Sequence, residues 1–334
     1  MTALQHGGQL LAMISQYGGN KDDWIDVSTG ISPYSYPVTQ PPMDVWQRLP
    51  QISDTFTQAA AQYYGNEGGM PIAGSQSVIQ LLPRLCAHQE QPIHRVWLPK
   101  VGYKEHQKAW QNTSIPVCFY DDLPALSAIT THDMVVLINP NNPTGFMANQ
   151  DQLEALLHRL EQHLGMLIID EAFMDCTPEH SMLKRPARDN LLVLRSAGKF
   201  FGLAGIRMGM LFAPPQWRDS CNALLGPWSV NGPALHVMTQ AFADKAWQQR
   251  QREALRQDSA WLHHTLGHHL HLISTGSGLF RTIKTPHASQ WFTHLCQHQV
   301  YARLCDEKDA LRFGLPHPSQ RQRLETAIAS LVSP

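Results

Sequence analysis

The sequence lacks a surplus of either charge: 26 Lys and Arg stand against 27 Asp and Glu, a net charge of −1 over 334 residues. That balance argues against a nucleic-acid binder, which normally carries a basic excess somewhere along its chain. Charge is also scarce overall, at 16% against 43% hydrophobic residues, which excludes a disordered chain or a long coiled coil and suits a large core. No apolar run approaches the roughly 18 residues a membrane span requires. The start, MTALQHGGQL, has no basic residue ahead of its few apolar ones, unlike a secretory signal. Six cysteines (Cys86, Cys118, Cys176, Cys221, Cys296, Cys305) form no CxxC pair and no framework spacing, as expected of reduced thiols. Internal repeats and low-complexity tracts are absent too. The expectation is a soluble, cytoplasmic, unprocessed protein of two domains, or of one large and one small.

What the sequence does have is clearest in its middle. HDMVVLIN (132–139) is a short apolar run that stops at the turn-rich PNNPTG and reads as a buried strand. NQDQLEALLHRLEQHLG follows, with Leu153, Leu156, Leu157, Leu160 and Leu164 at helical spacing, Asn149 or Asp151 as cap and Gly165 as stop. MLIID (166–170), NLLVLRS (190–196) and GIRMGMLFAP (205–214) are further apolar runs. Strand, helix and strand with a crossover near 30 residues form a βαβ unit, so the sheet is at least partly parallel. After Pro214 and Pro215 the texture turns rich in Gln, Arg and Trp, with long helices, and a domain boundary is expected there. The end of the chain alternates short strand-like pieces with helices, as a small α+β domain does.

In an open α/β sheet, ligands bind at the carboxyl ends of the parallel strands. Three successive strand ends carry polar residues: Asn139 to Asn142, Asp170 with Glu171, and Ser196 to Lys199. A buried carboxylate and a lysine on adjacent strand ends are costly unless paired or used. The competing structural reading is an ion pair between Asp170 and Lys199. AGSQSVIQLL sets Gly74, Ser75 and Gln76 just before an apolar helical run, an arrangement that suits either phosphate binding or a plain helix cap.

VVLINPNNPTG, LIIDEAF and SAGKFFGLAGIRMG, in that order and spacing, resemble the pyridoxal-phosphate (PLP) enzymes of fold type I, the aminotransferase class I/II superfamily. The closer resemblance is to the cobalamin-pathway threonine-phosphate decarboxylases, relatives of histidinol-phosphate aminotransferase. It rests on HGGQL, WIDVSTGISPYSYP, IAGSQSVIQLLPRL, YKEHQKAW, DEAFMD, GKFFGLAGIRMG and LRFGLP, and covers nearly the whole chain. The fold it implies is α/β: a large PLP-binding domain (31–214) with a mostly parallel seven-stranded sheet, and a smaller α+β domain (215–334). Residues 1–30 would pack with the small domain.

The resemblance makes Lys199 the Schiff-base lysine, in keeping with the ease with which a lysine near cationic groups is tuned to attack an aldehyde. It sets Asp170 against the pyridine nitrogen, Asn142 on the ring oxygen O3′ and Tyr103 stacked on the ring. Gly74, Ser75, Gln76, Ser196 and Arg207 would hold the cofactor phosphate. On the substrate side it implies Arg312 as a bidentate grip on an α-carboxylate, and Arg303, His6, Gly7 and Gly8 around a substrate phosphate. Gly30 and Ile31 would border the carboxylate. Two positions depart from the family pattern: Phe173 stands where a Tyr often gives a second donor to O3′, and Leu49 where many relatives have a Tyr reaching the neighbouring subunit's phosphate.

The implied activity is decarboxylation of O-phospho-L-threonine to (R)-1-amino-2-propanol O-2-phosphate. An aminotransferase acting on a phosphorylated amine such as histidinol phosphate is the alternative, and a non-catalytic PLP-binding regulator is a second. A homodimer, a small phosphorylated amino-acid substrate and a cobalamin-pathway partner enzyme are the partners implied, with neither nucleic acid nor membrane. His263, His264, His268, His269 and His271 crowd one helical stretch, but with no HExxH and no carboxylate or Cys near them in sequence, a solvated face is expected and no metal.

Overall fold

The structure is a computed structural model that describes residue 4 and residues 6–89, 92–111 and 113–331. The chain forms two compact units: residues 1–35, 143–145 and 249–334 in a small one, and residues 36–142 and 146–248 in a large one. In chain order the strands are β1 (Ile25–Asp26), β2 (Gly69–Ile72), β3 (Arg95–Pro99), β4 (Val117–Tyr120), β5 (Asp133–Ile138), β6 (Met166–Asp170) and β7 (Leu191–Ser196). They continue as β8 (Gly209–Phe212), β9 (Thr275–Ser277), β10 (Phe280–Lys284), β11 (Val300–Tyr301), β12 (Arg303–Leu304) and β13 (Ala310–Gly314). The helices are α1 (Leu10–Tyr17), α2 (Met43–Gln47), α3 (Asp54–Tyr64), α4 (Ser75–Ala87), α5 (Lys104–Trp110), α6 (Gln150–Gln162) and α7 (Ala197–Phe200). After them come α8 (Pro215–Leu225), α9 (Gly232–Ala243), α10 (Lys245–Leu270), α11 (Ala288–Gln297) and α12 (Arg321–Ala329).

The large unit is built on a seven-stranded sheet of order β2-β8-β7-β6-β5-β3-β4. β8 runs antiparallel to both its neighbours and the other pairings are parallel. Every residue of β5 and of β6 is buried, which is why both read as unbroken apolar runs rather than as alternating ones. On α6 four of the five leucines resolve as expected: Leu153, Leu156, Leu157 and Leu160 are buried, whereas Leu164 lies past the end of the helix and is exposed. Asn149 caps the helix by accepting from the Gln152 N–H at 2.9 Å, while the Gln152 side chain accepts from the Asn149 N–H at 2.9 Å. The stop differs from expectation: Leu164, not Gly165, takes the left-handed conformation. Gly165 is required for another reason, since a Cβ there would stand 2.5 Å from the Asp133 carbonyl oxygen.

Residues 215–248, expected with the small domain, cluster with the large unit. The cause is packing. α8 lies on α4 and α9 on α3, Trp217 and Cys221 join the core cluster that contains Val136, Ile168 and Leu192, and Phe242 packs among Tyr63, Tyr64 and Phe201. The unit boundary falls instead within α10, between Gln248 and Gln249.

In the small unit, β1 pairs in parallel with β11, and β12-β13-β10-β9 form an antiparallel sheet. The 27–29 stretch crosses β13 so closely that a Cβ on Gly314 would overlap the Thr29 carbonyl oxygen, while the Gly314 N–H donates to the Val27 carbonyl at 2.6 Å. That close approach accounts for the glycine of LRFGLP and holds the residues leading into Gly30 and Ile31 against β13. His263 bonds Ser274 at 2.7 Å, and His269 has a carboxylate partner that the sequence did not show, Glu325, at 3.1 Å. Among the described residues no group of three or more His, Cys, Asp or Glu is placed to hold a metal ion, and no helix is long and apolar enough to cross a membrane.

Candidate active site

The register of the large sheet brings one set of expected residues to one edge. Ile138 pairs with Asp170, Asp170 with Leu194, Ser196 with Gly209 and Gly209 with Ile72. The ends of β2, β5, β6 and β7 therefore deliver the Gly74–Gln76 turn, the Asn139–Asn142 turn, Asp170 and the Ser196–Lys199 turn to the same side. β3, parallel to β5, leads on to Tyr103 at the start of α5.

Asp170 is 3% exposed. One carboxylate oxygen accepts from the Ala172 N–H at 3.1 Å and the other meets His106 Nε2 at 3.0 Å. His106, itself 1% exposed, was not singled out from the sequence, although it lies within YKEH three residues after Tyr103, on the same helical face. Its Nδ1 is buried without a hydrogen-bond partner, which leaves Nε2 as the nitrogen that donates to Asp170. The buried Asp170 carboxylate thereby has a donor on each of its oxygens.

Lys199 lies in α7, with Nζ 3.4 Å from Ser196 Oγ and 4.9 Å from the centre of the Phe173 ring. Behind both strand ends sits a buried ionic cluster: the Arg195 guanidinium meets Glu171 at 2.9 Å and also Asp175, and Ser181 Oγ donates to Glu171 at 2.5 Å. Burial alone would lower the Arg195 guanidinium, but Asp175 and Glu171 hold it above its ordinary value. Because Glu171 follows Asp170 and Arg195 precedes Ser196, this pairing ties together the ends of β6 and β7.

Gly74 caps α4 with φ of +73°, and a Cβ there would stand 2.9 Å from Arg207 Nη2. The glycine thus opens room for a guanidinium beside the first N–H groups of α4, the donor set that binds a phosphate. Ser75 is buried; Arg207 is exposed and itself left-handed, at φ +54°. The side chain of Gln76 is committed elsewhere: its Oε1 accepts from the Tyr103 hydroxyl at 2.9 Å and its Nε2 donates to Glu105 at 2.9 Å. Only its backbone remains for a phosphate. Burial, with Glu105 and Asp170 nearby, pushes the Tyr103 phenol up to about 12. Asn142 is half-buried in its turn. A buried carboxylate fixed by histidine, a lysine on the next strand end and a glycine-opened helix terminus with an arginine match the donor set PLP needs, so these residues fit that cofactor.

The expected substrate residues lie in the small unit. Arg312 on β13 and Arg303 on β12 are direct cross-strand partners. Arg312 is 7% exposed and donates to the Ser28 carbonyl at 2.6 Å. Burial, and to a lesser degree Arg303, lower its guanidinium to about 10. Arg303 donates to Asp306 at 2.8 Å. Ser28, missed in the sequence, also organises HGG: its hydroxyl accepts from the Gly8 N–H at 2.7 Å, and a Cβ on Gly7 would overlap its carbonyl oxygen. The Tyr301 hydroxyl donates to the His6 carbonyl at 3.3 Å. Gly30 is buried and Ile31 half-buried.

A family model described as aminotransferase class I and II matches residues 47–330. The chain is 36% identical over 332 residues to a protein named threonine-phosphate decarboxylase from Pseudomonas aeruginosa, covering 99% of each chain. It is 37% identical over 341 residues to one of the same name from a Sinorhizobium species, covering 98% of each. Among solved structures, histidinol-phosphate aminotransferase from Sinorhizobium meliloti in complex with pyridoxal-5'-phosphate superposes with a TM-score of 0.77 at 16% identity, over 99% of this chain and 98% of that one.

Proposed function

Since the chain belongs to the aminotransferase class I and II family, we propose that it is a PLP-dependent lyase that decarboxylates O-phospho-L-threonine to (R)-1-amino-2-propanol O-2-phosphate in cobalamin biosynthesis. The observation that carries the substrate class is the cross-strand pair of Arg303 and Arg312. Like charges directly opposite each other destabilise a sheet, and a ligand with both a carboxylate and a phosphate offsets that repulsion. An unphosphorylated amino acid would match only one of the two. Full-length similarity to proteins named threonine-phosphate decarboxylase supports the same reading.

PLP, when bound, supplies an electron sink for the pair left on Cα as carbon dioxide departs. The protein's share is to hold and orient. Asp170, held by His106, would keep the proton on the ring nitrogen; Asn142 would donate to O3′; Tyr103 would cover the ring; Arg207, Ser196 and the Gly74–Gln76 backbone would take the cofactor phosphate. Lys199 anchors the cofactor and returns a proton to Cα. Arg312 grips the substrate carboxylate, and Arg303 with the His6–Gly8 segment grips its phosphate. The direction in which Arg312 would hold the carboxylate is what would select decarboxylation over proton removal. Borohydride reduction of the PLP-loaded protein should fix the label on Lys199; recovery on Lys184 or Lys245 would overturn the site.

The same reading includes a homodimer. Val38, Met43, Trp46, Leu49 and Ile52, within 15 residues of the large unit, are all at least half exposed, an apolar run that a second copy would cover. Light scattering at micromolar concentration should give twice 37.6 kDa; a fully active monomer contradicts it. Six free cysteines support residence in a reducing cytoplasm.

A further inference from the structure

Glu105 is 5% exposed and lies in the first turn of α5, where a carboxylate is favoured by the helix N-terminus. A carboxylate buried to that degree is costly unless its hydrogen bonds are put to use. Its Oε2 accepts from Gln76 Nε2 at 2.9 Å, while Lys108 Nζ stands 3.7 Å from Oε1. An ionised carboxylate only accepts, so the Gln76 amide must turn its NH2 toward Glu105 and its carbonyl toward Tyr103. The phenol at 2.9 Å must then be the donor. With the phenol pushed up to about 12, it remains a donor throughout the neutral range. α4 and α5 are thus joined by a directional chain that ends on the Tyr103 ring and fixes its tilt.

We propose that Glu105 is a positioning residue: acting through the Gln76 amide, it sets the plane of the Tyr103 ring that covers the cofactor. The inference rests on the reading of Tyr103 as that covering ring. It also separates two tasks of Gln76, whose backbone N–H faces the phosphate end of the site while its side chain serves Tyr103.

The test compares Glu105→Leu, Glu105→Gln, Tyr103→Phe and the Glu105→Leu/Tyr103→Phe double variant by PLP titration of the apoprotein and visible circular dichroism of the bound cofactor. Breaking one charge-assisted link should weaken PLP about tenfold and alter the dichroic band. Glu105→Gln, whose amide oxygen still accepts, should bind PLP as the unmutated protein does. The double variant should be no worse than Tyr103→Phe alone, because both changes cut one chain. If Glu105→Leu fails to fold, Gln76→Met cuts the same chain and must reproduce the dichroic change. Additive losses, or unchanged dichroism in Glu105→Leu and Gln76→Met, overturn the proposal while leaving the functional reading intact. An unmutated protein that takes up no PLP overturns both.

Discussion

Replacing Arg303 by Ala separates the two anionic groups of the proposed substrate. A charge-assisted phosphate contact contributes about 1.5 to 3 kcal/mol, or roughly tenfold to 150-fold in binding. The structure points to the lower part of that range, because Arg303 already donates to Asp306 at 2.8 Å and a phosphate would share or displace that carboxylate. kcat/KM for phosphothreonine should therefore fall about tenfold to fortyfold. Unphosphorylated threonine should lose nothing, since its only anion is the carboxylate at Arg312, and removing the facing cation relieves Arg312 rather than weakening it. Arg303→Lys keeps the charge without the fork and should fall between. Arg312→Ala should damage both substrates alike. Steady-state release of carbon dioxide from each substrate gives all of these numbers. Equal losses for the two substrates in Arg303→Ala would remove Arg303 from the phosphate site.

Three further outcomes are expected. His106→Leu leaves one Asp170 oxygen buried without its partner, a change of about 1 to 3 kcal/mol, so PLP affinity should drop roughly fivefold to 150-fold in a cofactor titration; unchanged affinity contradicts the role given to His106. Burial pushes the Cys86, Cys296 and Cys305 thiols up to about 12 and Cys221 up to about 11. Raised values leave too little thiolate to react at pH 8, so a chromogenic disulfide should titrate at most Cys118 and Cys176 rapidly in the native protein and all six in denaturant; three or more fast native thiols would refute this. Gly314→Ala drives a Cβ into the Thr29 carbonyl and should lower the thermal midpoint, with weakened substrate binding and PLP binding unaffected; a neutral substitution contradicts the close crossing.

Much of the large unit was legible because buried parallel strands leave a plain trace. The apolar runs ending at Asn139, Asp170 and Ser196 are β5, β6 and β7, and their order in sequence is their order in space. Leu153, Leu156, Leu157 and Leu160 gave both the helix and its buried face. Residues 215–248 misled because composition reports neither partner nor side: their Gln- and Trp-rich surface conceals a face, with Trp217, Cys221 and Phe242, that packs on the large unit. In the candidate site, the residues on strand ends could be named from the sequence, whereas the buried partners they bond to could not. His106, Glu105 and Ser28 sit inside quoted motifs, yet the pairings that give them meaning depend on how helices and strands come together across 64, 29 and 284 residues of chain. Of these, only His106 left a signal, its three-residue spacing from Tyr103.

On the proposed reading these residues direct the chemistry toward loss of carbon dioxide. Incubating the PLP-loaded protein with O-phospho-L-threonine, with carbon dioxide and keto acid measured in the same sample, tests it most directly. Carbon dioxide released over many turnovers without 2-oxoglutarate is the predicted result. Keto acid formed in step with added 2-oxoglutarate, and no carbon dioxide, would contradict the account and establish an aminotransferase.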